Sequence, residues 1–131
     1  MDASTFFGIG IVAGLLLIFE GMTLHRNGGR LTSLVGVLTL IEFGWLFLCL
    51  YVLFSTELPG WTALIPAAYL AYFVIAAWHF SRVANIDETT EFSDIRIPMS
   101  FATLEIYAGV GTGVLSGLAW VQFAEQLARV A

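Results

Sequence analysis

Apolar positions run almost unbroken through four stretches of the chain, and polar residues are confined to the breaks between them. The runs cover about Phe6 to Leu24, Leu31 to Phe54, Trp61 to Phe80, and Pro98 to Ala128. Each is about 20 residues or longer, enough for a helix to cross a hydrocarbon core of roughly 30 Å. The pattern predicts an all-α polytopic membrane protein, a four-helix transmembrane bundle with short loops in one domain. The breaks carry turn chemistry. Asn27-Gly28-Gly29 marks a tight turn, and Pro59-Gly60 ends the second run. Pro98 suits the start of the fourth helix, and Pro66 falls in the first turns of the third, where a missing N–H is tolerated. The stretch from Arg82 to Arg96 is the longest polar segment and is predicted to be a solvated connection, with a short surface helix at most. Met1 to Thr5 carries Asp2 and no positive charge, so the first run reads as a retained helix and not as a cleaved leader.

Composition points the same way. Apolar residues make up 59% of the 131 and charged residues 11%, whereas a soluble domain carries about 25% charged residues. The bilayer is therefore the expected solvent for most side chains. The net charge is −5, with five cationic residues, all arginine. No basic patch exists, which excludes nucleic acid as a partner. Arg26, Arg30, Arg82 and Arg96 fall in the first and third connections and only Arg129 on the other side. The positive-inside rule then places those connections in the cytoplasm and both termini outside, in the cell (inner) membrane. Trp61 and Trp120 fall at the outer interface and Trp78 at the inner one, as aromatic belts require.

Two features inside the runs carry candidate function. The first is the spacing of Gly109, Gly113 and Gly117, one every fourth residue, with Glu105 at the end of the same stripe. Gly10 and Gly14 form a similar pair in the first helix. Small residues at this spacing let helices approach closely in a membrane. The second is the set of ionisable groups. Reckoned from the helix ends at 1.5 Å per residue, Glu20 lies roughly 6 Å deep, Glu105 roughly 8–10 Å, and Glu42 roughly 16 Å, near the midplane. His79 sits at the inner end of the third helix and His25 in the first connection. All four helices thus place an ionisable group in the inner half.

A carboxylate at the depth of Glu42 costs about 2.5–3.5 kcal/mol and needs a reason. Thr39 and Trp45, three residues to either side, are the expected hydrogen-bond partners of Glu42. Glu20 is within reach of the headgroups, Arg26 and Arg30. Each group has a plain structural role open to it: an interhelical hydrogen bond for Glu42 and Glu105, a snorkelling contact for Glu20 and His79. The functional reading is a proton- or ion-binding set of Glu42, Glu105, His79 and Glu20. No Glu-x-x-His pair of the kind that builds di-iron bundles is present, so no metal and no cofactor is expected. Cys49 is the single cysteine and Ser116 has no nearby histidine, so no nucleophile–base pair for an enzyme is visible. Two functions fit: a proton-linked transporter or channel working as a homo-oligomer, or a non-enzymatic accessory subunit contacting other subunits of a membrane complex.

Overall fold

The structure, a computed structural model, describes residues 2–83 and 96–130, excluding the side chains of residue 83 and of residues 124–130. Most of the predicted polar connection, residues 84–95, lies outside the described residues. Four helices follow one another: α1 (Ala3–Arg26), α2 (Ser33–Ser55), α3 (Leu64–Val83) and α4 (Met99–Val130), with a 3-10 turn at Gly60–Ala63 leading into α3. All four are long and apolar enough to cross a membrane. The chain is an integral membrane protein built as a four-helix bundle.

The helix ends follow from local chemistry. Asp2 caps α1 by accepting from the Thr5 N–H at 2.8 Å. Thr5, through its side chain and its N–H, and the Ser4 hydroxyl hold the Asp2 carboxyl below its ordinary range. Thr32 caps α2 through the Val35 N–H. At the end of α1, the Gly29 N–H reaches back to the Leu24 carbonyl at 2.8 Å and the Gly28 N–H to that of His25 at 3.4 Å. This is the paired closure of a Schellman motif, which needs a left-handed residue after the cap. Gly28 and Gly29 have φ of 63° and 83°.

Gly29 has a second task. Its carbonyl accepts from the Ile97 N–H at 2.7 Å, and Arg30 and Arg96 form an isolated antiparallel bridge beside it. The first connection is thereby tied to the entry of α4. A Cβ on Gly29 would run into the Ile97 carbonyl oxygen, whereas one on Gly28 would meet nothing within 4 Å. Gly28→Ala is expected to cost about 1–2 kcal/mol, the left-handed penalty alone. Gly29→Ala adds the clash and is expected to lower the thermal midpoint in detergent further; equal midpoints for the two variants would show that the tie carries no stability.

Each helix packs on its chain neighbours, and α4 closes the ring by packing on α1, which is the most intimate pairing in the bundle. Glycine makes that intimacy possible. A Cβ on Gly14 would lie 2.6 Å from the Gly113 nitrogen and 2.7 Å from the Gly109 carbonyl oxygen. A Cβ on Gly109 would lie 2.7 Å from the Gly14 carbonyl oxygen. Gly21 faces Ile106 and the Ala102 carbonyl, and Gly10 faces Ser116 and Trp45. Gly117 stands outside this contact, with nothing within 4 Å of its Cβ position. Ser116, one residue earlier, occupies the seam in its place.

The core is split along the bundle axis. Toward the end that carries the chain termini, Phe6, Phe7, Leu17, Trp45, Cys49, Val52, Ile65, Tyr69 and Ala119 form one tight cluster. Phe6 stacks on Trp45 with ring centroids 5.0 Å apart, and Trp45 meets Tyr69 edge-on at 6.0 Å. Toward the end that carries the Gly28–Gly29 turn, only Leu24, Val35, Ile97 and Ala102 are grouped. The space between these clusters is filled less completely. Leu40, Phe47, Phe54, Val74 and Val114 are among the side chains that face outward, where lipid would meet them.

Candidate functional site: a cavity lined by three glutamates

Glu20 of α1, Glu42 of α2 and Glu105 of α4 converge in the less filled half of the bundle. One carboxylate oxygen from each lies within 4.8 Å of those from the other two. Glu20 is 3% exposed and Glu105 2%, while Glu42 is partly buried. The convergence has two sources. At this end α1 runs two residues past its apolar run and α2 begins two residues inside its own, so Glu20 lies seven residues before the α1 cap at Asn27 and Glu42 ten after the α2 cap at Thr32. Their depths therefore differ by only about 5 Å. Helical side chains also lean toward the N-terminus of their own helix. α1 runs opposite to α2 and α4, so Glu20 leans toward the middle of the bundle while Glu42 and Glu105 lean back to meet it.

The hydrogen bonding differs from the expectation that Thr39 and Trp45 would satisfy Glu42. The Thr39 hydroxyl lies 3.0 Å from Glu20 Oε1 and 2.8 Å from the Val35 carbonyl oxygen. A hydroxyl has a single proton to give. That proton lies between two acceptors, the Glu20 carboxyl and the Val35 carbonyl, and none is left for Glu42. The Trp45 indole turns into the aromatic core, and its N–H finds no partner among the described residues. Glu20 Oε2, Glu42 Oε1 and Glu105 Oε2 are likewise buried without a partner among the described residues. Glu20 itself meets Thr39 and the other two glutamates, not Arg26 or Arg30.

The cluster lines a cavity of about 320 Å³. From the glutamates the cavity reaches toward the Gly28–Gly29 end, where Leu24, Leu31 and Ile97 line it. α3 supplies the Tyr69 and Tyr72 rings to the opposite wall. The same two tyrosines line a second cavity of about 120 Å³ between α3 and α4, beside Gly111 and Thr112. Among the described residues, no arginine or histidine lines the main cavity.

His79 does not join the glutamates. Its Nε2 lies 3.1 Å from the Ser100 hydroxyl, at the start of α4. His25 pairs with Thr103 at 3.2 Å. Both histidines are at the margin of the bundle. The sequence pattern does not single out Tyr72 as a wall of the site, because α3 is apolar on every side and marks no inward face.

Three negative charges at this separation in apolar surroundings repel one another strongly. The cluster is chemically complete only when it shares protons or holds a cation. Three carboxylate oxygens fall short of the six to eight ligands of Ca²⁺ or the six of Mg²⁺, and water would have to supply the rest. No protein-family model, no curated protein and no solved structure matches this chain.

Proposed function

We propose that the chain is a proton-linked membrane transporter that works as a homo-oligomer, with Glu20, Glu42 and Glu105 as its proton-binding centre. The observation that carries this reading is the meeting of three carboxyls from three different helices in one cavity, with no cationic side chain among its described lining residues. A single buried glutamate is accounted for by one interhelical hydrogen bond. Three with unpartnered oxygens are not, because structural roles are filled by groups that satisfy each other. The geometry favours a transporter over an open channel. The cavity serves one half of the bundle and ends at the Trp45–Tyr69 core, so passage requires the helices to rearrange. The arginine distribution supports a cytoplasmic face for the cavity and outward termini in the cell membrane.

Purified protein in proteoliposomes tests this reading. An imposed pH difference is expected to collapse faster with the protein than without it, when cargo is present on the far side. Light scattering in detergent is expected to return a defined multiple of the 14.3 kDa chain. A monomer that leaves the pH difference intact would favour the accessory-subunit role instead.

A further inference from the structure

We propose that the glutamate cavity binds a small organic cation with an aromatic or branched aliphatic body, exchanged against the protons of the cluster. This rests on the proton-linked reading above and names its cargo. Size is the first argument. A proton relay needs no free volume, yet this cavity holds about 320 Å³, within the range of small-molecule sites.

The walls are the second argument. Six aromatic rings line the cavity: Phe43, Tyr69, Tyr72, Phe73, Phe80 and Phe101. They stand in three contact pairs. Phe43 meets Phe73 at 5.8 Å, Tyr69 meets Tyr72 at 5.6 Å, and Phe80 meets Phe101 at 5.8 Å. Aromatic faces attract cations, and the attraction grows when water is excluded. An anion would find three carboxyls and no cationic side chain among the described lining residues. A neutral apolar solute would fill the volume and leave the carboxyl oxygens unpartnered, at the full cost of buried polar groups. An ammonium on an apolar body satisfies both walls at once.

Charge balance supplies the coupling. The titratable residues lining the cavity are Glu20 from α1, Glu42 from α2, Glu105 from α4 and Tyr69 and Tyr72 from α3. A bound monovalent cation neutralises one carboxylate, so its entry into the protonated cluster releases one proton to solvent. Protonation from solvent, in turn, expels it. No covalent bond changes.

Benzyltrimethylammonium is a suitable probe, because its neutral carbon isostere, neopentylbenzene, has the same shape. Titration calorimetry of the detergent-solubilised oligomer, repeated in buffers of different ionisation enthalpy, measures both affinity and proton release. Binding is expected to be at least about tenfold tighter at pH 8 than at pH 5.5, with proton release, as reciprocal linkage demands. Neopentylbenzene is expected not to compete. Tyr72→Leu is expected to weaken binding about tenfold and Tyr72→Phe less than about threefold, since the ring face makes the contact. Circular dichroism of each variant confirms that it is folded, and Phe73→Leu serves as the second ring deletion. Equal binding of the isostere would overturn the proposal in favour of an apolar-solute cavity. Tight Mn²⁺ binding without ammonium binding would overturn it in favour of a metal site. If proton flux depends on Glu42 while no ammonium binds, the cargo is wrong and the proton-linked reading stands. If ammonium binds and releases protons but Glu42 does not affect flux, the cavity is a binding site and the transport reading falls.

Discussion

Proteoliposomes carrying Glu42→Gln are expected to lose at least about nine-tenths of the pH-driven flux of the unaltered protein, because the ionisable group nearest the midplane is gone. Glutamine keeps the shape of the side chain and its capacity for hydrogen bonding but exchanges no proton. Its amide N–H groups offer donors to Glu20 and Glu105, whose free oxygens lie in the same cavity. One source of repulsion is also removed from a cluster within 4.8 Å. The thermal midpoint at pH 8 is therefore expected to hold or rise while flux falls. This opposition separates a functional carboxyl from a structural one. A structural Glu42 would give the reverse pattern, with flux intact in Glu42→Gln and the midpoint lowered in Glu42→Leu. Glu105→Gln is expected to follow Glu42→Gln, since both face the same cavity.

Gly14→Leu is expected to prevent stable assembly of the bundle. The α1 and α4 backbones touch at this point, with the Gly113 nitrogen and Gly109 carbonyl within 2.7 Å of the Cβ position. These are backbone atoms, which cannot move aside like the end of a flexible side chain. Even Gly14→Ala is expected to cost about 1–3 kcal/mol, the usual range for overpacking. A leucine here would push α1 and α4 apart along their closest line. Gly109→Leu is expected to act alike. Gly113→Ala is expected to be milder, because a Cβ there would meet only the Gly14 Cα at 3.9 Å. Gly117→Ala is expected to be neutral or to stabilise by about 0.5–1 kcal/mol, the intrinsic preference of helices for alanine. Thermal melts in detergent across the series check the ranking. A Gly14→Leu protein that melts like the unaltered one would show that the helices do not meet at this line.

The four helices were legible in the sequence because a bilayer demands long apolar runs, and nothing else in the chain imitates them. The turn at Gly28–Gly29 was legible because only glycine takes two left-handed positions in succession at low cost. The site was legible residue by residue and not as a whole. Glu20, Glu42 and Glu105 each stood out as a charge in an apolar run. Their meeting depends on helix ends that do not coincide with the ends of those runs and on the lean of side chains in antiparallel helices. The aromatic wall was illegible for a different reason. In a soluble helix a polar face reveals the inward one by contrast, but α2 and α3 show lipid and protein the same kinds of residue. Thr39 illustrates the point: it sits within reach of Glu42 along α2, and only the placement of α1 gives it to Glu20.

The seam between α1 and α4 also sets the order in which the protein can be completed. Gly14 and Gly113 stand 99 positions apart in the chain (113 − 14). At ordinary rates of synthesis, roughly 5–20 s pass between the translation of one and the other. Throughout that interval α1 waits in the bilayer without its closest partner, with a bare glycine face and Glu20 lacking Glu105. The tightest contact in the bundle is thus the last to form, and any fault in the emergence of α4 leaves an unsatisfied carboxyl and an unclosed ring for quality control to detect.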